Sequence, residues 1–347
     1  MSRKPVRRIA LVLSSVASAL VVTAALHALT QEQPASAQDP ITLKIATIAP
    51  DGTPWEKQLR SLKTHLEKAS GGRFRVKVFM GGSLGGEKAL VRRTSQGTIQ
   101  IFGGSTAALA SVVTELDVIE SPYLFESYTQ ADGILDNVVK QRAEPLLTKR
   151  GFVFGLWAEN GWRSMFTKER RIQTPADMQG LRMRSQESPV HLAMYRALGA
   201  NPVPIDATNV LTSLQTGVVD GFDNTMLFAF ATSWYQGVRH LSTTQHVYQP
   251  GIVAYSKRWF DGLPADLQQV LRELPPSLTT DGRRQVRQMD PILQRNLAKA
   301  GVTVTELSAE QRAAFARATA SVADRIAKTA DARSLLAAIR AARAQHR

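Results

Sequence analysis

From Ile41 onward, short apolar stretches of period two alternate with amphipathic stretches of helical period, which predicts an α/β architecture. Ile41, Leu43 and Ile45 alternate with polar neighbours and end at the turn Pro50-Asp51-Gly52. Thr53, Pro54 and Glu56 have the residue types of a helix start. They offer a capping hydroxyl, a proline suited to the first turn, and a glutamate placed to complete a capping box. Trp55, Leu59, Leu62 and Leu66 recur at helical spacing until Gly71-Gly72 ends the run. Phe74, Val76 and Val78 mark the next strand. After Gly81-Gly82 the pattern predicts a helix over 87–96 and a strand over 99–102.

The middle third repeats the arrangement. A buried strand is expected over 152–158, a short helix after Thr174-Pro175, and a strand over 181–184. Ser188-Pro189 opens a helix that stops at Gly199, Asp206 caps another that stops at Gly217, and Val218 to Gly221 is expected as a strand. The last third is mainly helical: one long helix over 278–300 kinked at Pro291, then a capping box at Ser308 and Gln311 before a helix to about Thr329. Two α/β lobes with helical C-terminal segments predict a cleft between them, a favoured place for a small ligand.

Composition narrows the classes. Of 347 residues, 44% are hydrophobic and 21% charged, enough to bury one large core or two smaller ones. Cysteine is absent, which excludes disulfides, a thiolate nucleophile, a cysteine metal site and a lipid-modified N-terminal cysteine. Residues 1–37 have the form of a cleaved export signal: Arg3, Lys4, Arg7 and Arg8, then an apolar run from Ile9 to Leu29, then Ala35-Ser36-Ala37 before Gln38. The apolar run exceeds the usual length, so an uncleaved anchor is the alternative, and Arg7-Arg8 is an imperfect twin-arginine match. No other stretch is long enough to span a bilayer, so the mature chain is expected to be soluble. The net charge of +14 is concentrated late, with 13 Lys and Arg against 6 Asp and Glu over 281–347. Those charges lie on amphipathic helices without aromatic interleaving, which points to a solvated helical face and away from nucleic acid.

Catalytic motifs are missing. Gly81 to Lys88 lacks the Lys-Ser/Thr ending of a phosphate loop, and Gly103-Gly104-Ser105 lacks the spacing of a nucleophile elbow. His240 and His246 have no partner ligands at metal spacing, and His191 falls off the apolar stripe of its helix and is expected at the surface. No catalytic set, metal site or cofactor is predicted, so the chain is not expected to be an enzyme. One positive signal remains. In Leu181-Arg182-Met183-Arg184 the strand period puts both arginines on one face. Arg184 ends the strand a few residues before a helix start, where an anion gains from both. Spacing alone equally allows Arg184 to pair with Glu187 or to face water.

At these residues the chain resembles the DctP-type solute-binding proteins of tripartite ATP-independent periplasmic (TRAP) transporters. The run Thr174-Pro175-Ala176-Asp177-Met178-Gln179-Gly180-Leu181-Arg182-Met183-Arg184 is similar to the family's "tpeDlkGlkiR". Ala197 to Pro204 resembles "alGanPvp", Leu214 to Gly221 resembles "LqtGvvDG", and Ala46 to Trp55 looks like the opening of one branch. The resemblance covers nearly all of the mature chain. It implies a two-lobed type II periplasmic-binding fold, each lobe a mixed sheet flanked by helices, with a long kinked helix crossing the hinge. Domain I is expected over 41–160 and 250–290, and domain II over 161–249 and 291–347. The implied function is capture of an organic acid in the periplasm, by a monomer, for a TRAP membrane permease. Arg184 matches the arginine that binds the ligand carboxylate, Arg163 of Asn160-Gly161-Trp162-Arg163 matches a second acid contact, and Asn224 matches the asparagine after "DGqe". Trp157, Trp162 and Phe222 are candidate apolar walls. The small Ala207 and the bare Gly103-Gly104 depart from many members and would widen or de-polarise the pocket. A lipid-like ligand with Arg184 structural is the alternative.

Overall fold

The computed structural model describes residues 39–345, so the expected export signal lies outside the described residues. The strands are β1 (Ile41–Ala46), β2 (Phe74–Phe79), β3 (Ile101–Ser105), β4 (Phe152–Thr167), β5 (Arg182–Ser185), β6 (Asn201–Pro204), β7 (Gly221–Thr225), β8 (His240–Ser256) and β9 (Thr303–Thr305). The helices used below are α1 (Pro54–Ala69), α2 (Glu87–Ser95), α3 (Pro189–Ala197), α4 (Met226–Ala231), α5 (Ser277–Lys299) and α6 (Ala330–Gln345).

These strands form one mixed sheet in the order β2-β1-β3-β8-β4-β7-β5-β6, with β9 on β8. Its two ends are parallel, β1 with β2 and β3, and β5 with β6 and β7. The long antiparallel pair β4 and β8 joins them. The later half of β8 pairs with β3, whereas the early half pairs with β9 and the later half of β4 pairs with β7. Both strands therefore belong to two lobes. Register shifts at Glu159/Gly161 and Arg163/Met165 break the ladder where the lobes meet, and Gly161 takes the positive φ of 99° that such a bulge requires.

Each lobe has its own apolar cluster. In the first, Leu59, Leu62 and Leu66 of α1 pack on Leu43, Ile45 and Val253 on one face of the sheet. The other face carries Phe102, Ile134, Leu147 and Ile252, and the apolar stripe of α6 (Leu335, Leu336, Ile339) packs into that same cluster. The segment 291–347, grouped with the second lobe from sequence, is thus divided between the two. In the second lobe Phe166, Phe222 and Trp234 centre one cluster, and Met165, Met183 and Tyr195 another. Helix α5 runs without interruption through Pro291 and touches both lobes. Gln58 of α1 donates to the Leu278 carbonyl at 2.8 Å, while Val286 and Leu293 pack on Leu227 of α4. Arg287 of α5 also reaches Asp132 and Glu159, each at 2.6 Å.

Three local expectations are corrected. β4 extends nine residues beyond Ala158, because the glycine bulge bends the strand without ending it. The strand expected at Val218 to Gly221 lies instead at Gly221–Thr225. Val218 is 48% exposed in a turn, and the real strand is a buried polar sequence whose side chains find partners inside the protein. Thr53 does not cap α1. Its hydroxyl donates to the Pro50 carbonyl at 2.7 Å, and Glu56 reaches past it to accept from the Gly52 N–H at 2.6 Å, so neither half of the capping box forms.

Candidate functional site

The lobes meet around a cavity of about 40 Å³, with room for roughly three waters. The second lobe contributes Arg184 at the end of β5, and Arg163 and Asn224 from the adjoining part of β4 and β7. The first contributes Trp55 of α1 and Glu87, the first residue of α2. Gln186 spans the gap, donating to Ser105 Oγ at 2.8 Å and to Glu87 Oε2 at 3.3 Å. Gln249 donates to Gln186 at 2.9 Å and to Glu120 at 2.6 Å. Gln186 and Gln249 thus tie the two sides of the cavity together.

Arg184 is 3% exposed, yet no carboxylate lies within ion-pairing distance of it among the described residues. Glu187, the partner that spacing allowed, pairs with Lys88 at 3.5 Å instead. Only the Arg184 Nε has a protein acceptor, the Ile205 carbonyl at 2.9 Å, and the guanidinium lies 5.1 Å from the centre of the Trp234 ring. Burial, and then the nearby Arg163, pull its pKa down to about 10. It remains charged at neutral pH, and the group is unusual in being a buried cation without an anion.

Arg163 is the opposite case. Its Nε donates to Asp223 Oδ2 at 2.6 Å, one terminal nitrogen to Asn224 Oδ1 at 3.2 Å and Gln249 Oε1 at 2.9 Å, and the other to the Asp223 carbonyl at 2.6 Å. Four of its five N–H groups are thereby used within the protein. Asp223 also accepts from the Tyr195 hydroxyl at 2.7 Å and contacts His246 at 3.3 Å. Burial works hardest against the Asp223 charge, but Arg163, His246 and His191 together outweigh it and hold the carboxyl well below the usual range. Asn224 Oδ1 also accepts from the Thr225 N–H at 2.8 Å, which leaves the amide nitrogen as the donor available to the cavity.

The three aromatic walls expected from sequence are elsewhere. Phe222 is fully buried, stacked on Phe166 at 4.7 Å and covered by the edge of Trp234. Trp157 packs on Phe154 at 5.0 Å inside the first-lobe core. Trp162 alternates to the strand face opposite Arg163, where it packs with Tyr128 and Tyr248. The walls are Trp55, Trp234 and Phe228. Trp55 donates its Nε1–H to Asn160 at 3.0 Å, and its ring lies so close to Gly251 that any side chain there would collide with it. Ala207 does line the cavity, as the sequence suggested. Helical periodicity hinted at Trp55 only as a core residue. No local signal marked Gln186 or Gln249.

His191, expected at the surface, is fully buried because a polar partner reaches it from the other lobe: its Nε2 meets Glu120 Oε2 at 2.8 Å. Beside it Asp117 of the first lobe accepts from the Ser188 hydroxyl at 2.6 Å and the Val190 N–H at 3.0 Å, so it caps α3 across the lobe boundary. Burial, partly offset by the Ser188 bond, raises the Asp117 pKa to about 6.

Residues 45–330 match the model of the family described as bacterial extracellular solute-binding protein, family 7, or DctP. The chain belongs to the DctP family. A solute-binding protein of Verminephrobacter eiseniae is 33% identical over 70% of this chain and 72% of its own length. The C4-dicarboxylate-binding periplasmic protein of Rhodobacter capsulatus is 29% identical over 88% and 92%. Among solved structures, a TRAP periplasmic solute-binding protein of a Bordetella species, with density assigned to pantoate, superposes with a TM-score of 0.80 at 30% identity, covering 86% of this chain and 98% of that one. The sugar-acid-binding protein of Advenella mimigardefordensis in complex with galactonate gives 0.82 at 27% identity, covering 88% and 99%. The two-lobed periplasmic-binding fold expected from sequence is the fold of this DctP-family chain. The long strands β4 and β8 that cross between the lobes are its connecting element. No metal-binding cluster occurs among the described residues.

Proposed function

We propose that this DctP-family protein captures a carboxylate-bearing solute in its interlobe cleft, in the periplasm, and hands it to a TRAP-type membrane permease. The observation that carries the proposal is Arg184, a buried guanidinium that faces the cleft with no carboxylate of its own. A ligand carboxylate would supply the missing anion, and exclusion of water on closure would strengthen the pair. Asn224 would donate from its free amide end, and Trp234 fixes the guanidinium plane. Arg163 serves mainly as the internal partner of Asp223, with one N–H left to offer. The relatives support an acid: their ligands include pantoate and galactonate. The first lobe would comprise roughly 41–160 and 250–290 together with α6, and the second the remaining segments. Acid capture would draw the lobes from an open population to the closed one, and the closed surface is what the permease would meet. The protein acts here as a monomer without cofactor or nucleic acid.

The test is calorimetric titration of organic acids into wild-type and Arg184→Ala protein. Loss of the charged partner is expected to cost at least about 2 kcal/mol of binding with the fold intact. Equal affinity in the two proteins refutes the assignment. In that case an apolar solute with Arg184 structural becomes the working reading.

A further inference from the structure

The reverse face of β4 carries a larger recess than the interlobe cavity. Strand alternation turns Trp162 away from Arg163 and the cleft, and its ring lines a groove of about 550 Å³ there. The walls come from both lobes. The first supplies Phe125, Tyr123 and Arg343 of α6, and the second supplies Gln245 of β8 and the helix Ala309–Thr319. Arg312, Ala313 and Ala316 share the face of that helix that meets the groove. Tyr123 reaches across to β8, where its N–H donates to the His246 carbonyl at 2.7 Å and its hydroxyl to the Thr244 carbonyl at 3.1 Å.

Two independent features mark this groove as more than a gap in the packing. Among the described residues three non-glycine residues have positive φ, and two of them, Tyr123 at 53° and Gln245 at 45°, line it. The left-handed region is unfavourable for side chains of that size, and strain of this kind gathers at binding sites. The second feature is charge. Arg312 is half-buried, its side chain donates only to the Leu307 carbonyl, and no carboxylate lies within ion-pairing distance of it among the described residues. Arg343, by contrast, holds Glu126. Beyond Arg312 the groove continues into a recess that carries Asp290 and Glu306, and both acids are engaged: Asp290 accepts from the Tyr128 hydroxyl at 2.7 Å and Glu306 from the Gln294 amide at 2.5 Å.

We propose that this groove is a second ligand site, for a small organic anion with an aromatic or branched apolar body. The acid group lies on Arg312 and the body lies against Trp162, Phe125 and the alanine face. A neutral apolar ligand would leave the cation without an anion, and a small hydrophilic anion would leave the rings wet. The volume falls in the range of roughly 300–1,000 Å³ that small-molecule sites occupy. An occupant touches both lobes at once, on the sheet face away from the cleft. The site therefore stands whether or not Arg184 captures an acid.

The experiment is fluorescence titration of the purified protein with anilinonaphthalene sulfonate and with its neutral counterpart, phenylnaphthylamine. Wild type is expected to bind the sulfonate at one site, about tenfold more tightly than the amine, a comparison that needs no variant. Arg312→Gln should weaken the sulfonate about tenfold and leave the amine within about twofold. Arg317→Gln removes the same charge from an exposed position of the same helix outside the groove, and should change neither. Ala313→Phe fills the groove and should weaken both probes; if that variant does not fold, the two arginine variants decide alone. Arg184→Ala should bind both probes as wild type does. No binding of the sulfonate, equal losses in Arg312→Gln and Arg317→Gln, full affinity in a folded Ala313→Phe, or loss in Arg184→Ala would each overturn the site.

Discussion

Removing the carboxylate of Asp223 is the perturbation whose cost the geometry defines best. Asp223 and Arg163 are both essentially inaccessible, and the pair is joined at 2.6 Å between strands β7 and β4. In Asp223→Ala the Arg163 Nε, the Tyr195 hydroxyl and His246 all lose an acceptor, and the buried Arg163 and Arg184 guanidiniums lose the carboxylate that both feel. Breaking a buried ion pair from one side costs about 3–5 kcal/mol. At about 2 °C per kcal/mol for a chain of this size, the melting temperature should fall by roughly 6–10 °C. A control lies three residues earlier in the chain, at Asp220. Asp220 pairs with Arg182 at 2.6 Å too, but those side chains are 32% and 51% exposed. Water replaces that partner, so Asp220→Ala should move the melting temperature no more than an ordinary surface substitution does. Paired urea and thermal unfolding of the two variants decides the matter. A loss in Asp223→Ala no larger than in Asp220→Ala would refute the argument that burial sets the value of the pair.

Two further outcomes can be checked with the same methods. Gly104→Ala should lower stability by about 1–3 kcal/mol and weaken ligand binding, because the new methyl collides with the Phe102 ring and the Glu87 carboxylate; calorimetry beside urea unfolding separates the two effects. Asp117 binds its proton more tightly in the folded protein, with a pKa of about 6 against 3.8, so its contribution to stability falls as pH rises from about 4 to about 6 and is flat above. The stability difference between wild type and Asp117→Asn should therefore decline across that window by at most roughly 3 kcal/mol; a difference independent of pH from 4 to 7 would refute the assignment.

The legible parts of this protein are those written in local pattern. Alternation and capping residues placed β1, β2, α1 and α3 close to their observed bounds. Arg184 stood out at the end of its strand, and its family motif marked it further. The parts that stayed hidden depend on partners far away in the chain. β7 escaped because Asp223 and Asn224 do not look like a strand until Arg163, some 60 residues earlier, satisfies them. His191 looked like a surface residue because Glu120, 71 residues before it, cannot be seen from its own helix. Of the aromatic walls, Trp162 failed on parity: a tryptophan adjacent to a cleft arginine on a strand points to the other face. The true walls, Trp55 and Trp234, come from segments whose periodicity only says that they are buried.

The sharing of β4 and β8 between lobes also bears on how the chain comes to be made. The first lobe begins at residue 41, yet its sheet needs the late part of β8, and its helical cluster needs α6 near the C-terminus. A chain emerging N-terminus first can therefore finish neither layer of that lobe until almost all of it has appeared. Its longest-range contacts form last, and contacts of that kind make folding slow. Until residues 251–255 and α6 are made, the sheet edge at β3 stays open and the apolar face that α6 covers stays bare.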